Sequence, residues 1–349
     1  MDFGLTDKQR ALDASVRDYL ADRFDLAALR RVYDDAAGDG HPRELWSAFA
    51  EYGWLAVTVP EQYDGLGLGI VDAQVVARAL GAGAVPGPWL PTVLATEAIR
   101  LAGSEEQQAA WLPKLAAGEA VGTVALDPPS TGSLRRVEYG AVADVLVVAD
   151  ENGGLGLVAL EGLPREQVTQ YDGTTRLASV DLSTATVEPL AGATAEVVAD
   201  LHRRAAVLAA ADLVGIARQA LTRTVDYDKD RVQFGKPVGS FQALKHSMAD
   251  LHVGVTMAEH AVLYAAFAID TESTDSARPD VELAAAVAKA KASEVAKQTT
   301  AAMIQFHGGI GFTWEHDSHF YFKRAKRLAA AYGDVAQSRE RIASLTFAA

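Results

Sequence analysis

The chain contains no cysteine. That excludes disulfides, thiol nucleophiles, Cys-ligated zinc and iron–sulfur clusters. Basic residues are in short supply too: 32 Lys+Arg stand against 46 Asp+Glu, for a net charge of −14. A nucleic-acid binder needs a basic face for phosphates, so that class is not expected, although a local basic pocket for an acidic cofactor is compatible with the balance. The N-terminus, MDFGLTDKQRALDASVRDYL, has an acid at its second position and no apolar core of a signal peptide. No long uncharged apolar run reads as a membrane span. A cytoplasmic protein without membrane or nucleic-acid partners is therefore expected. What the chain has in quantity is length, at 349 residues, and apolar side chains, at 49%. Two or three domains with substantial cores fit that size.

Three segments differ in periodicity, and the pattern is α+β. Residues 1–120 read as an N-terminal helical domain. Leu5, Leu12, Val16, Tyr19 and Leu20 recur at helical spacing and Thr6 can cap that helix. Further helices are expected near 42–52, 70–83, 91–103 and 104–116. Residues 121–193 carry the short Val- and Leu-rich runs VGTVAL, AVADVLVVAD, GLGLVAL, ASVDLS and TATVEPL, separated by turn residues. They form a shortened β-domain. From 194 to 349 the pattern returns to long helices, near 200–230, 241–270, 280–306, 318–331 and 334–344, which make an up-down bundle. Leu201, Leu208, Leu213, Ile216, Ala220 and Thr224 line one face of the first, and Leu244, Met248, Leu251, Val255 and Val262 one side of the second. Ser240 is the expected N-cap of that second helix.

Two words carry chemistry, RVQFGKPVGSFQALKHSMADLH at 231–252 and QFHGGIGFTWEHDSHFYFKRAKRL at 305–328. Arg231 is a permanent cation with a planar fork suited to pyrophosphate. Phe234 offers an apolar plate. Gln305 can both donate and accept. Gly308, Gly309 and Gly311 let a backbone approach a ligand closely. Both words resemble signature segments of the acyl-CoA dehydrogenase family of flavoproteins. The N-terminal MDFGLTDKQ, GWLAV, PEQYDGLGLG and GSEEQQAAWLPKLAAGEA stretches are similar to that family's helical domain. In the resembled family the matching Arg, Phe and Gln-x-x-Gly-Gly residues hold the ADP half of FAD belonging to the neighbouring subunit. The resemblance thereby implicates Arg231, Phe234, Gln305, Gly308 and Gly309, with Gln242 and His307 beside them. His316 and His319 stand at i, i+3, but the equivalent stretch of the family is structural, so no metal site is expected. The Tyr63–Gly69 glycine loop lacks the Lys-Ser/Thr of a phosphate-binding P-loop and follows no strand, so it reads as a structural turn.

The resemblance also exposes gaps. The family desaturates an acyl-CoA thioester: a carboxylate takes the α proton while the β hydrogen leaves as hydride to the flavin. The commonest base lies in a Glu-Gly-Thr word before the last helix, where this chain reads AAAYGDV. Tyr332 takes the Glu position and Asp334 replaces the Thr. A phenol, titrating near about 10, is a poor base at neutral pH. Asp334 is the nearby acid, shorter and two residues off. The alternative base position, on the first bundle helix, reads ADLHRRAAVL and holds no Glu. In the β-domain, Leu126-Asp127-Pro128 stands where the family's flavin-contacting Thr-Glu-Pro belongs, and the Trp-x-Thr word is missing. This pattern implies the non-catalytic subunit type of a heteromeric α2β2 actinobacterial acyl-CoA dehydrogenase, some of which act on steroid side-chain CoA thioesters. The implied partners are an acyl-CoA substrate, a second dehydrogenase subunit carrying the Glu base, and electron-transfer flavoprotein or a similar acceptor. The competing readings are a homomeric enzyme with an unrecognised base, a flavin-free helical scaffold, and a related flavin enzyme acting on nitroalkanes or aromatics.

Overall fold

The structure is a computed structural model that describes residues 4–127, 133–150, 153–271 and 281–347. The chain forms two compact units. One comprises Met1–Leu26, Gln74–Val85 and Ala206–Ala349; the other comprises Ala27–Ala73 and Pro86–Ala205. Along the chain, α1 (Asp7–Arg23), α2 (Leu26–Asp34), α3 (Arg43–Glu51), α4 (Ile70–Ala82), α5 (Trp89–Ala102) and α6 (Glu105–Ala116) come first. The strands follow: β1 (Gly122–Ala125), β2 (Ser133–Glu138), β3 (Val145–Ala149), β4 (Leu155–Ala159), β5 (Arg165–Val168), β6 (Leu177–Asp181) and β7 (Glu188–Pro189). Then come α7 (Ala195–Asp230), a hairpin of β8 (Val232–Gln233) and β9 (Lys236–Pro237), α8 (Gln242–Thr271), α9 (Val281–Phe306), α10 (Ser318–Ala330) and α11 (Val335–Phe347).

Local sequence explains the helix starts. Thr6 caps α1 reciprocally with Gln9, and Ser104 caps α6 with Gln107. The helix α2 was not foreseen: at nine residues it is too short for an apolar period to stand out. Ser240 is not the cap of α8. The chain makes a 3-10 turn over Val238–Ser240 and α8 begins at Gln242, so the hydroxyl stands too early and is buried without a partner. The glycine loop before α4 folds back on the preceding turn, with Gly67 N–H bonded to Val59 O at 2.8 Å and Leu68 N–H to Val57 O at 2.9 Å. A Cβ on Gly65 would stand 1.9 Å from Val59 O, so only glycine closes this turn.

The second unit holds two small sheets. Strands are ordered β1-β3-β4-β7 in one, with β1 and β3 parallel, and β2-β6-β5 in the other, all antiparallel. The strands β3 and β4 are buried nearly throughout. The pairs β2 and β5 escaped the sequence reading because their charged residues, in SLRRVE and REQV, break the apolar pattern. In the same unit α5 is buried on twelve of its fourteen residues and packs on β1.

The first unit is a helical bundle. The predicted stripe Leu208, Leu213, Ile216, Ala220 and Thr224 of α7 is buried. On α8 the predicted side is only partly covered: Val255 and Val262 are buried, while Leu244, Met248 and Leu251 are half-buried. The helices α7 and α8 are both long and apolar enough to cross a membrane by length and composition, and their most apolar windows are 78% and 39% buried within the protein. Two glycines set the crossing of α4 and α7: a Cβ on Gly81 would meet Asp212 O at 2.2 Å, and one on Gly215 would meet Arg78 O at 2.0 Å. Beside that crossing Arg324 of α10 reaches Asp212 with Nε–Oδ1 at 3.1 Å and a second contact through Nη2, while Nη1 donates to Val85 O at 3.0 Å. Both side chains are more than nine-tenths buried. Removing one partner leaves a buried charge uncompensated, so Arg324→Met should cost about 3–5 kcal/mol in denaturant unfolding. The double variant with Asp212→Leu should recover most of that loss, because neither charge then remains.

Candidate functional site: the hairpin end of the bundle

The two words that the resemblance implicates in cofactor binding are brought together at one end of the helical bundle. The last turn of α7 presents Tyr227, whose ring stacks on His307 at 4.3 Å and whose hydroxyl donates to His307 O at 3.3 Å. His307 follows α9 directly, so this contact sets the end of α7 beside the Gly308–Phe312 3-10 turn. Arg231 follows α7, with its N–H bonded to Tyr227 O at 2.8 Å. It is exposed, and its side chain makes no hydrogen bond or ion pair among the described residues.

The hairpin β8–β9 turns on Phe234 and Gly235, both at positive φ (54° and 78°). A bulky aromatic is rare there and costs strain. Phe234 is also 91% exposed, with only an edge contact to Phe241 at 6.1 Å. Lys236 sits over the Phe241 ring at 4.3 Å. Gln242, at the start of α8, and Gln305, near the end of α9, are exposed, and their side chains make no hydrogen bond among the described residues. Gly308 has φ +65°, and a Cβ on Gly308 or Gly309 would find nothing within 4 Å, so the backbone lies open to a ligand. His307 itself is buried. It lies between Tyr227 and His316, whose centroid is 4.4 Å away, and Nδ1 donates to Met303 O at 2.7 Å. Burial lowers its pKa. Its role in this geometry is to pack the turn. His316 and His319 likewise have partners within the loop: His316 Nδ1 accepts from Ser318 N–H, and His319 stacks on Trp314 at 4.5 Å.

At the root of the hairpin lies Asp228, a residue that sequence reasoning missed. It is fully buried and both carboxylate oxygens lack a hydrogen-bond partner, as does the neighbouring Ser240 hydroxyl. Burial raises its pKa to about 6. The folded chain therefore holds more protons than the unfolded chain between about pH 4 and 6, and Asp228 costs stability as pH rises through that window. Above it the cost is about 2–3 kcal/mol. In parallel denaturations, the advantage of Asp228→Asn over the parent should shrink by that amount between pH 7.5 and pH 4.

The positions where the resemblance expects a base hold structural groups. Tyr332 sits at φ 54° and Gly333 at φ 91° in the turn after α10. That turn is held by Lys289 of α9, 1% exposed, whose ammonium donates to Gly333 O at 2.6 Å, Leu328 O at 3.1 Å and Ala329 O at 3.3 Å. Burial lowers the Lys289 pKa to about 8, with Asp334 opposing the shift. Asp334 caps α11: Oδ1 accepts the Gln337 N–H at 2.9 Å, and the Gln337 side chain accepts the Asp334 N–H at 2.9 Å.

At the alternative position, in the second unit, Arg204 donates to Glu97 of α5 at 2.7 Å and to Asp200 at 2.7 Å. Arg100 grips Glu97 bidentately at 2.8 and 2.9 Å. Burial pushes the Glu97 carboxyl up, but the two guanidiniums outweigh it and hold the pKa low. Both acids near this position are thus ion-paired. Of the Leu126-Asp127-Pro128 word, Leu126 is buried and Asp127 exposed, while Pro128 lies outside the described residues.

The comparisons decide the family. The family model of the acyl-CoA dehydrogenase N-terminal domain matches residues 6–119, and that of the C-terminal domain matches residues 197–345. The chain belongs to the acyl-CoA dehydrogenase family. It is 37% identical over 320 residues to acyl-CoA dehydrogenase IpdE2 of Mycobacterium tuberculosis, covering 91% of each chain. Its fold is similar to a chain of the ChsE4-ChsE5 complex of the same organism, with a TM-score of 0.89 and 26% identity over 99% of both chains. It is also similar to the Tcur3481-Tcur3483 steroid acyl-CoA dehydrogenase, with a TM-score of 0.86 and 27% identity over 97% of both. Members of this family bind FAD. The residues at the hairpin end fit such a group: an uncommitted guanidinium for pyrophosphate, an exposed aromatic plate, and bare glycine backbone.

Proposed function

We propose that this chain is the non-catalytic subunit of a heteromeric acyl-CoA dehydrogenase that desaturates an acyl-CoA thioester. Arg231, Phe234, Gln305, Gly308 and Gly309, with Gln242 at the helix start, hold the ADP half of an FAD. The flavin ring, the acyl pocket and the Glu base belong to a different subunit. When bound, the FAD accepts the hydride and passes the electrons to electron-transfer flavoprotein or a similar acceptor. The observation that carries this reading is the division within one chain: the ADP-binding arm is open and uncommitted, while the acids at both base positions are committed to a helix cap or to ion pairs. Steroid side-chain CoA thioesters are the proposed substrate class. Similarity to IpdE2 supports family chemistry, and the two-component ChsE4-ChsE5 and Tcur3481-Tcur3483 assemblies support a heteromer. The functional division follows the segments 1–120, 121–193 and 194–349.

The chain purified alone should carry little flavin by absorbance and show no acyl-CoA-dependent dye reduction. Co-expression with its dehydrogenase partner should yield a yellow complex that turns over. In that complex Arg231→Ala should lower the flavin-to-protein ratio. Asp334→Asn, which keeps the helix cap, should leave flavin reduction by acyl-CoA within about twofold of the parent. Strong colour and turnover from the isolated chain, lost in Asp334→Asn, would establish instead a homomeric enzyme with Asp334 as its base.

A further inference from the structure

The space beside the crossing of α4 and α7 is filled unequally. Next to Asp212 it is taken by Arg324. Next to Ala211 and Val214 it stays open, and a cavity of about 200 Å³ lies there between α4, α7, α8 and the segment before α1. All of it belongs to the helical unit. Leu5, Val214, Val262 and Leu263 give it apolar walls. Glu259 and Arg78 line it too. Glu259 is committed: Arg218 Nε donates to one of its oxygens at 2.9 Å and Nη2 to the other. Arg78 is only half committed. Its Nη2 donates to Asp13 Oδ1 at 3.0 Å, while its Nε–H is buried and has no acceptor among the described residues. Asp13 is itself shared, since Arg17 Nε stands 2.7 Å from its other oxygen. Two guanidiniums therefore divide one carboxylate, and a positive charge is left over beside the cavity. A buried donor without an acceptor carries its full desolvation cost. An acceptor in the cavity offsets that cost, and an anionic one also balances the charge.

We propose that this cavity binds a small organic carboxylate, with its head on Arg78 and its apolar body against Val214, Val262 and Leu263. Size sets the class. An apolar cavity of about 150 Å³ holds one benzene ring. At about 200 Å³ this one has room for a ring with a carboxylate, or for a short acyl chain of the same bulk. Drug-sized ligands take about 300 Å³ or more, so a CoA thioester or a nucleotide does not fit. The ligand is thus neither the substrate nor the cofactor of the proposed dehydrogenase, and the inference does not depend on the flavin reading. Bound there, it touches α4, α7 and α8 at once, and it stabilises the helical unit by mass action.

Benzoate is the probe. Titrated calorimetrically into the full chain, it should bind saturably with one site per chain, and in excess it should raise the melting temperature. Benzyl alcohol, the same ring without the charge, should bind at least about tenfold more weakly. Arg78→Met should weaken benzoate by at least about tenfold. Because Arg78 also pairs with Asp13, a second variant fills the space without touching that pair. Leu5→Trp, at a half-buried position before α1, should abolish benzoate binding and leave the chain folded. A parent that shows no saturable benzoate binding overturns the proposal. So does equal affinity for benzyl alcohol, or undiminished binding in Arg78→Met or Leu5→Trp. Loss of benzoate binding in Arg231→Ala would place the anion at the hairpin instead, and overturns it as well.

Discussion

The helical unit depends on a single buried ion pair set into a close helix crossing. The α4 and α7 backbones approach so nearly at Gly81 and Gly215 that no side chain fits between them. Such an approach leaves little room for apolar burial at the crossing point, and the gap is bridged by charge. Arg324 enters from α10, neutralises Asp212 on α7 and donates to Val85 O just beyond α4. Tyr321, one turn earlier on α10, reaches Ala82 O at 3.3 Å. One guanidinium therefore ties three helices that are far apart in sequence. An ion pair of this kind adds little net stability over an apolar packing of the same volume. What it supplies is a fixed rotation of α10, and the direction of α10 decides where the turn at Tyr332 emerges.

The elements were legible wherever periodicity and punctuation agreed. The long helices α7 to α11 run without interior proline, and most of their bounds fell within a few residues of those read from the sequence. The reading failed where local signals were mute. Helix α2 is only nine residues long, strands β2 and β5 place charges in the pleat, and Ser240 closes a 3-10 turn that no spacing rule announces. The Asp212–Arg324 pair was invisible for a different reason. Its partners are 112 residues apart, and neither belongs to a word that stands out alone.

The candidate site divides along the same line. Arg231, Phe234, Gln305 and the Gly308-Gly309 pair sit in compact words, so their types could be read, and the Tyr227–His307 stack explains why two words far apart in the chain share one end of the bundle. The sequence could not tell that His307 packs the turn or that Asp334 caps a helix, since both depend on which hydrogen bonds are already made. Lys289 and Asp228 gave no signal at all. A lysine in an alanine-rich helix reads as solvated, and an acid in YDKD reads as one of many surface charges. Only burial distinguishes them.

These hidden groups act differently at the two turns of the helical unit. The turn at Tyr332 is held from beneath by Lys289 and from the far side by the Asp334 cap, and neither contact involves the side chain at position 332 itself. The opposite holds at the hairpin. Phe234 is exposed, strained and nearly free of packing, and among the described residues Arg231 is unpaired and the buried Asp228 beneath them has no partner. None of this helps the chain fold, and Asp228 opposes it at neutral pH. Groups that cost stability persist where a ligand or partner makes use of them. The turn at Tyr332 is thus held by the Lys289 and Asp334 contacts, whereas the hairpin end costs the fold stability.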